Sequence, residues 1–549
     1  MSSIDRFSIT DLVKKNPQLS EFKAIIESVF YENHVQPVNS LKEAYQLAAE
    51  SPGTIVTDIP VYQPEKLDIP ADAKVLVDNC GEIVGRTAAA RRLMNQDTID
   101  RKKYAALLRE AVYVSRDRTF YRSQAVVGLD EEFMVKANIM VSEGYESLLY
   151  SYLLNFQIVN HSWRDRYRQS KAYPETDLFL FVDPEWRHPE FPQGLALFDP
   201  DHNVAAVLGL RYFGEIKKAT LTMAWTIAHR SGFVSCHGGM KQFQLPDDRT
   251  YTMAAFGLSG SGKSTITLSN HGNKYPIKVL HDDAFVVSHD DGSSIALEPA
   301  YFDKTQDYPM TSEAVKYFLT VQNVGVTLDD DGRKVLVTED IRNGNGRTVK
   351  SFFSTPNRVN KLSEKINAVF WIMKDDSLPP LVKINDPVTA AVFGATLATK
   401  RTTAENVSPD VDLKSLVIEP FANPFRVYPL AEDYEAFKQL FFTHKTDCYI
   451  LNTDHFNGKK VTPQITLGSI EAVVEGRASF EQMGDMEDLS YLVVPEYQPD
   501  FNDAAYVEKI KQRLAVRRQH ILANQQEASG FNALPSEAVE VLDKLIQSL

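Results

Sequence analysis

At 549 residues with 43% hydrophobic side chains, the chain carries apolar material for more than one core. A formal net charge of −14 excludes the overall basic footprint of a nucleic-acid binder, so an anionic ligand would have to be drawn in by a local cluster of cations. Cys80, Cys236 and Cys448 are too few and too widely spaced for a disulfide framework or a zinc ribbon, which suits a reducing, cytoplasmic setting.

The opening MSSIDRFSITDLVKK has no apolar secretory core, and apolar runs such as 204–210 and 368–373 are too short to span a bilayer, so no membrane is expected. The first ~55 residues read as helical. Ser40-Leu-Lys-Glu43 is a capping box that opens a helix carrying Ala44, Leu47 and Ala48. Residues 74–79 form a strand candidate, followed by a turn and Ile83-Val84-Gly85-Arg86. Short apolar runs at 178–182, 195–198 and 204–210 read as strands. Ile216, Ala219, Met223, Ala224 and Ile227 fall at helical spacing, which predicts a helix over 215–230 ended by Gly232. A short strand, 233–235, would then stop at Cys236-His237. Further strands are expected at 251–256, at 278–280 with His281-Asp282-Asp283 at its end, and at 368–373. TLDDDGRKVLVTED reads as a hairpin turning at Asp331-Gly332. The last ~50 residues are again helical, with Ile510, Leu514 and Ile521 as a buried stripe. The sum is an α/β chain of two domains, taken as 1–235 on the substrate side and 236–549 for nucleotide and metal with C-terminal helices.

GLSGSGKS, residues 257–264, fits G-x-x-x-x-G-K-[ST] in full, between a strand and the helix candidate STITLSN. Gly257, Gly260 and Gly262 would let the backbone curl so that the N–H groups of Leu258, Ser259, Ser261 and Thr265 line an anion cradle. Lys263 would reach the β- and γ-phosphates of a nucleotide, and the Ser264 hydroxyl would hold Mg²⁺. The motif names a phosphoryl-handling site but no reaction. Asp282-Asp283 supplies the acidic residues such a site uses for its metal.

RYFGEIKK (211–218), FVSCHGG (233–239) and GLSGSGKS together resemble the ATP-dependent phosphoenolpyruvate carboxykinase family. Tyr212, Gly214, Glu215, Lys217, Lys218, His237, Lys263, Ser264, Asp282 and Asp283 follow in that family's order. Glu298 and Lys304 in ALEPAYFDK, Arg347 in GNGRTV, Gly85-Arg86-Thr87, LPPLVKI and the stretch 394–403 resemble further family segments. Two segments depart from its pattern. FNGKKVTPQIT puts Lys460 where an arginine is expected, although Thr466 matches, and FANPFRVYPL replaces a Phe-Gly-rich turn after Glu419-Pro420.

The resemblance implies a two-domain carboxykinase-like fold with a P-loop C-terminal domain, and conversion of oxaloacetate and ATP to phosphoenolpyruvate, CO₂ and ADP. It also implies Mn²⁺ on Lys218, His237 and Asp283, and Mg²⁺ on Ser264. Arg86, Tyr212, Lys218 and Arg347 would meet the substrate. Lys218, Lys263, Lys304 and Arg347 would act in the reaction, and Glu298, Lys460 and Thr466 would join the loop around the nucleotide. Guanidinium groups suit the two carboxylates of oxaloacetate better than ammonium groups do. A monomer or small homo-oligomer acting on small molecules follows, with no nucleic acid. Taken alone, Lys217-Lys218 also fits a solvated helix face, and Arg347 a hairpin charge. Two other functions stay open: a P-loop kinase of the same fold with another small-molecule or protein acceptor, and a nucleotide-binding regulator without turnover.

Overall fold

The computed structural model describes residues 19–82, 84, 90–258, 260–342, 344–400 and 416–549. The expectations for Gly85, Arg86, Thr87, Ser259 and 401–403 lie outside the described residues.

Two compact units make up the chain. One takes the residues through Ser231 and returns for Leu297–Pro356; the other takes Gly232–Ala296 and Asn357–Leu549. A single break at 235 therefore does not describe the division, because residues 297–356 go back to the first unit. The cause is long-range strand pairing, which leaves no local mark in sequence. Phe318–Gln322 runs parallel to Lys74–Val77, and Arg347–Lys350 lies antiparallel beside Phe318–Gln322.

The first unit holds a mixed sheet in the order Val35–Pro37, Phe120–Asp130, Phe133–Ser142, Leu178–Asp183, Val204–Leu208, Leu195–Asp199, Arg91–Leu93. Its core includes Phe120, Phe181, Leu197 and Ala206, each at most 1% exposed, so the all-apolar strand runs reflect burial on both faces. The expected helix is present and slightly longer, Phe213–Arg230. It packs on the strands Leu178–Asp183 and Val204–Leu208, and Gly232 follows it with φ +86°. A second sheet of five strands runs Tyr301–Lys304, Arg347–Lys350, Phe318–Gln322, Lys74–Val77, Ile55–Pro60. The capping box forms at Leu41–Glu50: Ser40 Oγ accepts from the N–H of Glu43, whose carboxylate accepts from the N–H of Asn39. The hairpin at Asp331-Gly332 forms between Val326–Leu328 and Lys334–Leu336.

A ten-stranded sheet organises the second unit, in the order Lys361–Leu362, Ser294–Ala296, Ile277–Ser288, Phe233–Gln244, Thr250–Phe256, Ala368–Met373, Asp447–Asn452, Leu381–Ile384, Met486–Leu492, Phe480–Met483. Thr250–Phe256, Ala368–Met373 and Asp447–Asn452 are parallel neighbours at its middle. Two strands differ from expectation. Phe233–Gln244 continues for 12 residues through His237, and Ile277–Ser288 continues through His281-Asp282-Asp283. Glycines and acids read as strand ends, but both segments are interior strands held by ladders on either side, and pairing overrides the local preference. Helix Ala504–Gln525 buries Ile510, Leu514 and Ile521 as the spacing predicts. Among the described residues no helix is long and apolar enough to cross a membrane.

Candidate active site

The glycine loop leaves the C-terminal end of Thr250–Phe256 and enters the six-residue helix Lys263–Leu268. The end of a parallel strand is where open α/β sheets present ligand sites. The glycines are required sterically. A Cβ on Gly257 would stand 2.4 Å from Ser261 Oγ and 3.0 Å from Ile372 Cβ. Gly260 and Gly262 have φ of +78° and +96°, a region open to glycine. Thr453 Oγ1 donates to Ser261 O at 2.9 Å and ties the loop to the chain beyond Asp447–Asn452. Ser261 Oγ is buried with no hydrogen-bond partner among the described residues, as expected of a donor awaiting an acceptor. Leu258 is buried, while Ser264 and Thr265 on the first turn are exposed.

The antiparallel register of Phe233–Gln244 on Ile277–Ser288 sets Gly238 opposite Asp283 and Gly239 opposite Asp282. His237 Nε2 thereby lies 2.8 Å from Asp283 Oδ1. Lys263 Nζ reaches the same Oδ1 at 3.1 Å and Asp282 Oδ1 at 3.2 Å. Burial alone would lower the Lys263 pKa, but the two aspartates outweigh it and hold the ammonium above its ordinary value. Asp283 has φ +141°, a strained value for a residue with a side chain and of the kind that gathers at functional sites.

On its other side, His237 Nδ1 is 2.6 Å from the carbonyl of Ala422. A carbonyl only accepts, so Nδ1 carries the proton. Nε2 then faces the carboxylate either with a second proton or with a lone pair that a cation would bridge. The pair thus fits half of a divalent-metal site, with the backbone orienting the imidazole as supporting partners of metal-binding histidines do. Among the described residues no trio of His, Cys, Asp and Glu converges; the Ser264 hydroxyl and an amine are the other ligand types that the motifs offer. The Ala422 carbonyl comes from the segment that departs from the family pattern. Phe421 and Ala422 both have left-handed φ, +51° and +52°, with Phe421 stacked on Phe437 at 4.6 Å.

In the first unit, helix Phe213–Arg230 carries the other lysines. Lys217 is fully buried and pairs with Glu298 Oε1 at 3.0 Å, so it is no solvated face. Glu298, expected at the nucleotide, is itself fully buried, and its second oxygen accepts from Asn155 Nδ2 at 2.6 Å. Glu215 makes a two-pronged contact with Arg91 at 2.6 and 3.0 Å. Lys218 is half-buried, with Nζ 5.9 Å from the centre of the Trp225 ring. Tyr212 folds over Gly214, where a Cβ would lie 2.5 Å from the ring. Lys304 and Arg347 stand directly opposite one another on paired strands. Side chains directly opposite on paired strands lie on one face, so the two cations share a face of this sheet. In the second unit, Thr466 is buried on helix Pro463–Val474 and Lys460 is exposed. Lys241, Asn155, Thr453 and the Ala422 carbonyl escaped the sequence reading. Only Lys241 left a signal, two-residue alternation from His237.

The sequence profile of the family described as phosphoenolpyruvate carboxykinase matches residues 83–502, well over half of the chain. The chain belongs to this family. A phosphoenolpyruvate carboxykinase (ATP) of Aeropyrum pernix is 24% identical over 287 residues, covering 51% of this chain and 57% of the relative. A protein of the same name from Dictyostelium discoideum is 21% identical over 384 residues, 66% of this chain and 64% of the relative. One from Mesorhizobium japonicum is 21% identical over 404 residues, 70% of each. The match spans less than two thirds of the first two relatives' own length. The family's order of residues runs through both units: Lys218 in the first, His237, Lys263 and Asp283 in the second.

Proposed function

We propose that this chain is a cytoplasmic ATP-dependent carboxykinase. It would convert oxaloacetate and ATP to phosphoenolpyruvate, CO₂ and ADP in gluconeogenic or anaplerotic metabolism. The observation that carries the reading is the convergence of His237 and Lys263 on one oxygen of Asp283. It joins an imidazole–carboxylate pair suited to a transition metal to the lysine of a phosphate loop. A simple kinase has no use for the imidazole.

In this reading the C–C bond to the departing CO₂ breaks, its electron pair forms an enolate, and the enolate oxygen takes the γ-phosphoryl group as ADP leaves. Lys218, His237 and Asp283 would hold Mn²⁺, and Ser264 would hold Mg²⁺. Bound there, the two cations supply charge stabilisation for the enolate and the transferring phosphoryl group. The loop amides from Gly257 to Thr265 and the Lys263 ammonium would grip the phosphates. Lys304 and Arg347, opposed across their strands, would counter the negative charge of substrate and phosphoryl group, with Arg86 as a second carboxylate partner and Tyr212 beside the leaving CO₂. Thr466 and Lys460 would flank the base. Glu298 would act through Lys217 and not by touching nucleotide.

The experiment is direct. Purified protein receives ATP, Mg²⁺, Mn²⁺ and oxaloacetate, and phosphoenolpyruvate is measured; Lys263→Ala abolishes its formation. ATP turnover with no consumption of oxaloacetate would reject the carboxykinase reading in favour of a kinase with another acceptor.

A further inference from the structure

Strand alternation places His237, Gly239, Lys241 and Phe243 on one side of Phe233–Gln244. That side carries the helix Lys263–Leu268 so closely that a Cβ on Gly239 would come within 1.9 Å of Thr267 Oγ1. Lys241 lies under the end of this helix with no exposed surface. Its Nζ donates to Ile266 O at 2.6 Å and Ser269 O at 3.2 Å, and lies 2.8 Å from His271 Nε2. An ammonium has three N–H groups and no acceptor, so these three partners match its protonated form one for one. His271 Nδ1 lies 3.0 Å from Glu471 Oε1, which places the proton on Nδ1 and leaves the Nε2 lone pair for Lys241.

The two ends of this chain of contacts matter. Ile266 accepts from Lys241 through its carbonyl, while its own N–H donates to Gly262 O of the glycine loop at 2.9 Å. A shift at the helix end is therefore passed straight to the loop. Glu471 sits on Pro463–Val474, the helix that also carries Thr466.

We propose that Lys241 is a positioning residue for the nucleotide phosphates: its ammonium clamps the end of the helix behind the glycine loop and, through His271 and Glu471, ties it to the helix bearing Thr466. This rests on the reading of GLSGSGKS as the nucleotide loop. No family motif quoted above includes Lys241, His271 or Glu471.

Burial lowers the Lys241 pKa to about 7, with Glu471 opposing the fall. Burial, and next the Lys241 charge, push His271 down, which keeps it neutral. Lys274 and Glu475 extend the cluster: Lys274 bonds Glu471 and Glu475, and the Tyr275 hydroxyl donates to Glu475. Arg477 also bonds Glu475, and the Phe243 ring lies 4.8 Å from Lys241 Nζ. Below pH about 7 the ammonium serves all three acceptors, and above it the neutral amine has two N–H groups, so one of the three contacts that tie the helix end to His271 is lost. ATP binding therefore weakens as pH rises through that range. Glu471→Gln keeps a hydrogen-bond acceptor for His271 but removes the charge that favours the ammonium, so the midpoint moves to lower pH.

The test is equilibrium binding of ATP to the full chain between pH 6 and 9, for wild type, Lys241→Met, Glu471→Gln and Lys263→Ala. The titration of ATP itself is common to all four and cancels in their comparison. The expected results are an affinity loss of about tenfold or more in Lys241→Met at the acid end, a flat profile there, and a midpoint lower by about half a unit to one unit in Glu471→Gln. A merely structural Lys241 would not move that midpoint. Should Lys241→Met fail to fold, Glu471→Gln decides the matter alone. Wild-type affinity and midpoint in Glu471→Gln, with binding lost in Lys263→Ala, would overturn the inference. Unchanged binding in Lys263→Ala would instead overturn the nucleotide reading beneath it.

Discussion

His237→Gln separates the metal from the nucleotide. The wild-type ring is fixed at both nitrogens, 2.6 Å from Ala422 O and 2.8 Å from Asp283 Oδ1. Glutamine can keep one of these contacts but cannot offer an sp² nitrogen lone pair to a cation. Losing a partner that only supports a ligand already weakens metal affinity by about 10–100-fold. Losing the ligand itself should therefore raise the Mn²⁺ concentration for half-maximal activity by about 100-fold or more, equivalent to about 2.7 kcal/mol. ATP binding in Mg²⁺ draws on the loop and on Lys263, whose contact with Asp282 at 3.2 Å does not involve His237. It should change by no more than about threefold, less than the typical ~1 kcal/mol of one hydrogen bond. The assays are Mn²⁺ titration of phosphoenolpyruvate formation and calorimetric binding of ATP in Mg²⁺. Equal losses in both would show that His237 braces the phosphate loop and holds no metal.

Three further outcomes are expected. Lys217→Met strands the Glu298 carboxylate where neither partner is exposed, which should cost about 3–5 kcal/mol; in denaturant melts, Lys217→Met with Glu298→Gln should recover much of this, and a double variant as unstable as the single one would refute the pairing. Gly257→Ala puts a methyl group 2.4 Å from Ser261 Oγ, so ATP affinity should fall by tenfold or more while the melting temperature changes little; wild-type affinity would show that the loop yields freely. Lys304 stands directly opposite Arg347; Lys304→Ala should slow phosphoryl transfer while leaving the thermal melt close to wild type, and a marked loss of stability with unchanged turnover would make Lys304 structural.

Legibility in sequence followed the range of the forces involved. Helix Phe213–Arg230 was readable because its apolar spacing is local, and the glycine loop because Gly257, Gly260 and Gly262 each meet a steric demand of the loop itself. The assignment of residues 297–356 to the first unit was not readable, since it depends on strands pairing across more than two hundred residues. Lys217 illustrates the same point on one side chain: a doublet of lysines looks solvated until a distant glutamate is placed against one of them.

The misread strand ends carry the more general lesson. His237 and Asp282-Asp283 interrupt interior strands of the ten-stranded sheet with groups that ordinarily close a strand. Two adjacent, largely buried carboxylates are costly unless positive charge stands beside them. Lys263 supplies one such charge to both, and it arrives there only because the glycine loop turns at the end of the neighbouring strand. The loop and the acidic pair are therefore conditions for each other: the lysine needs the aspartates to stay ionised in a buried setting, and the aspartates need the lysine to occupy the middle of a sheet. Asp283 Oδ1 lies within reach of both Lys263 Nζ and His237 Nε2, and a carboxylate beside an imidazole already oriented by a backbone carbonyl is the physical reason to propose a divalent cation here.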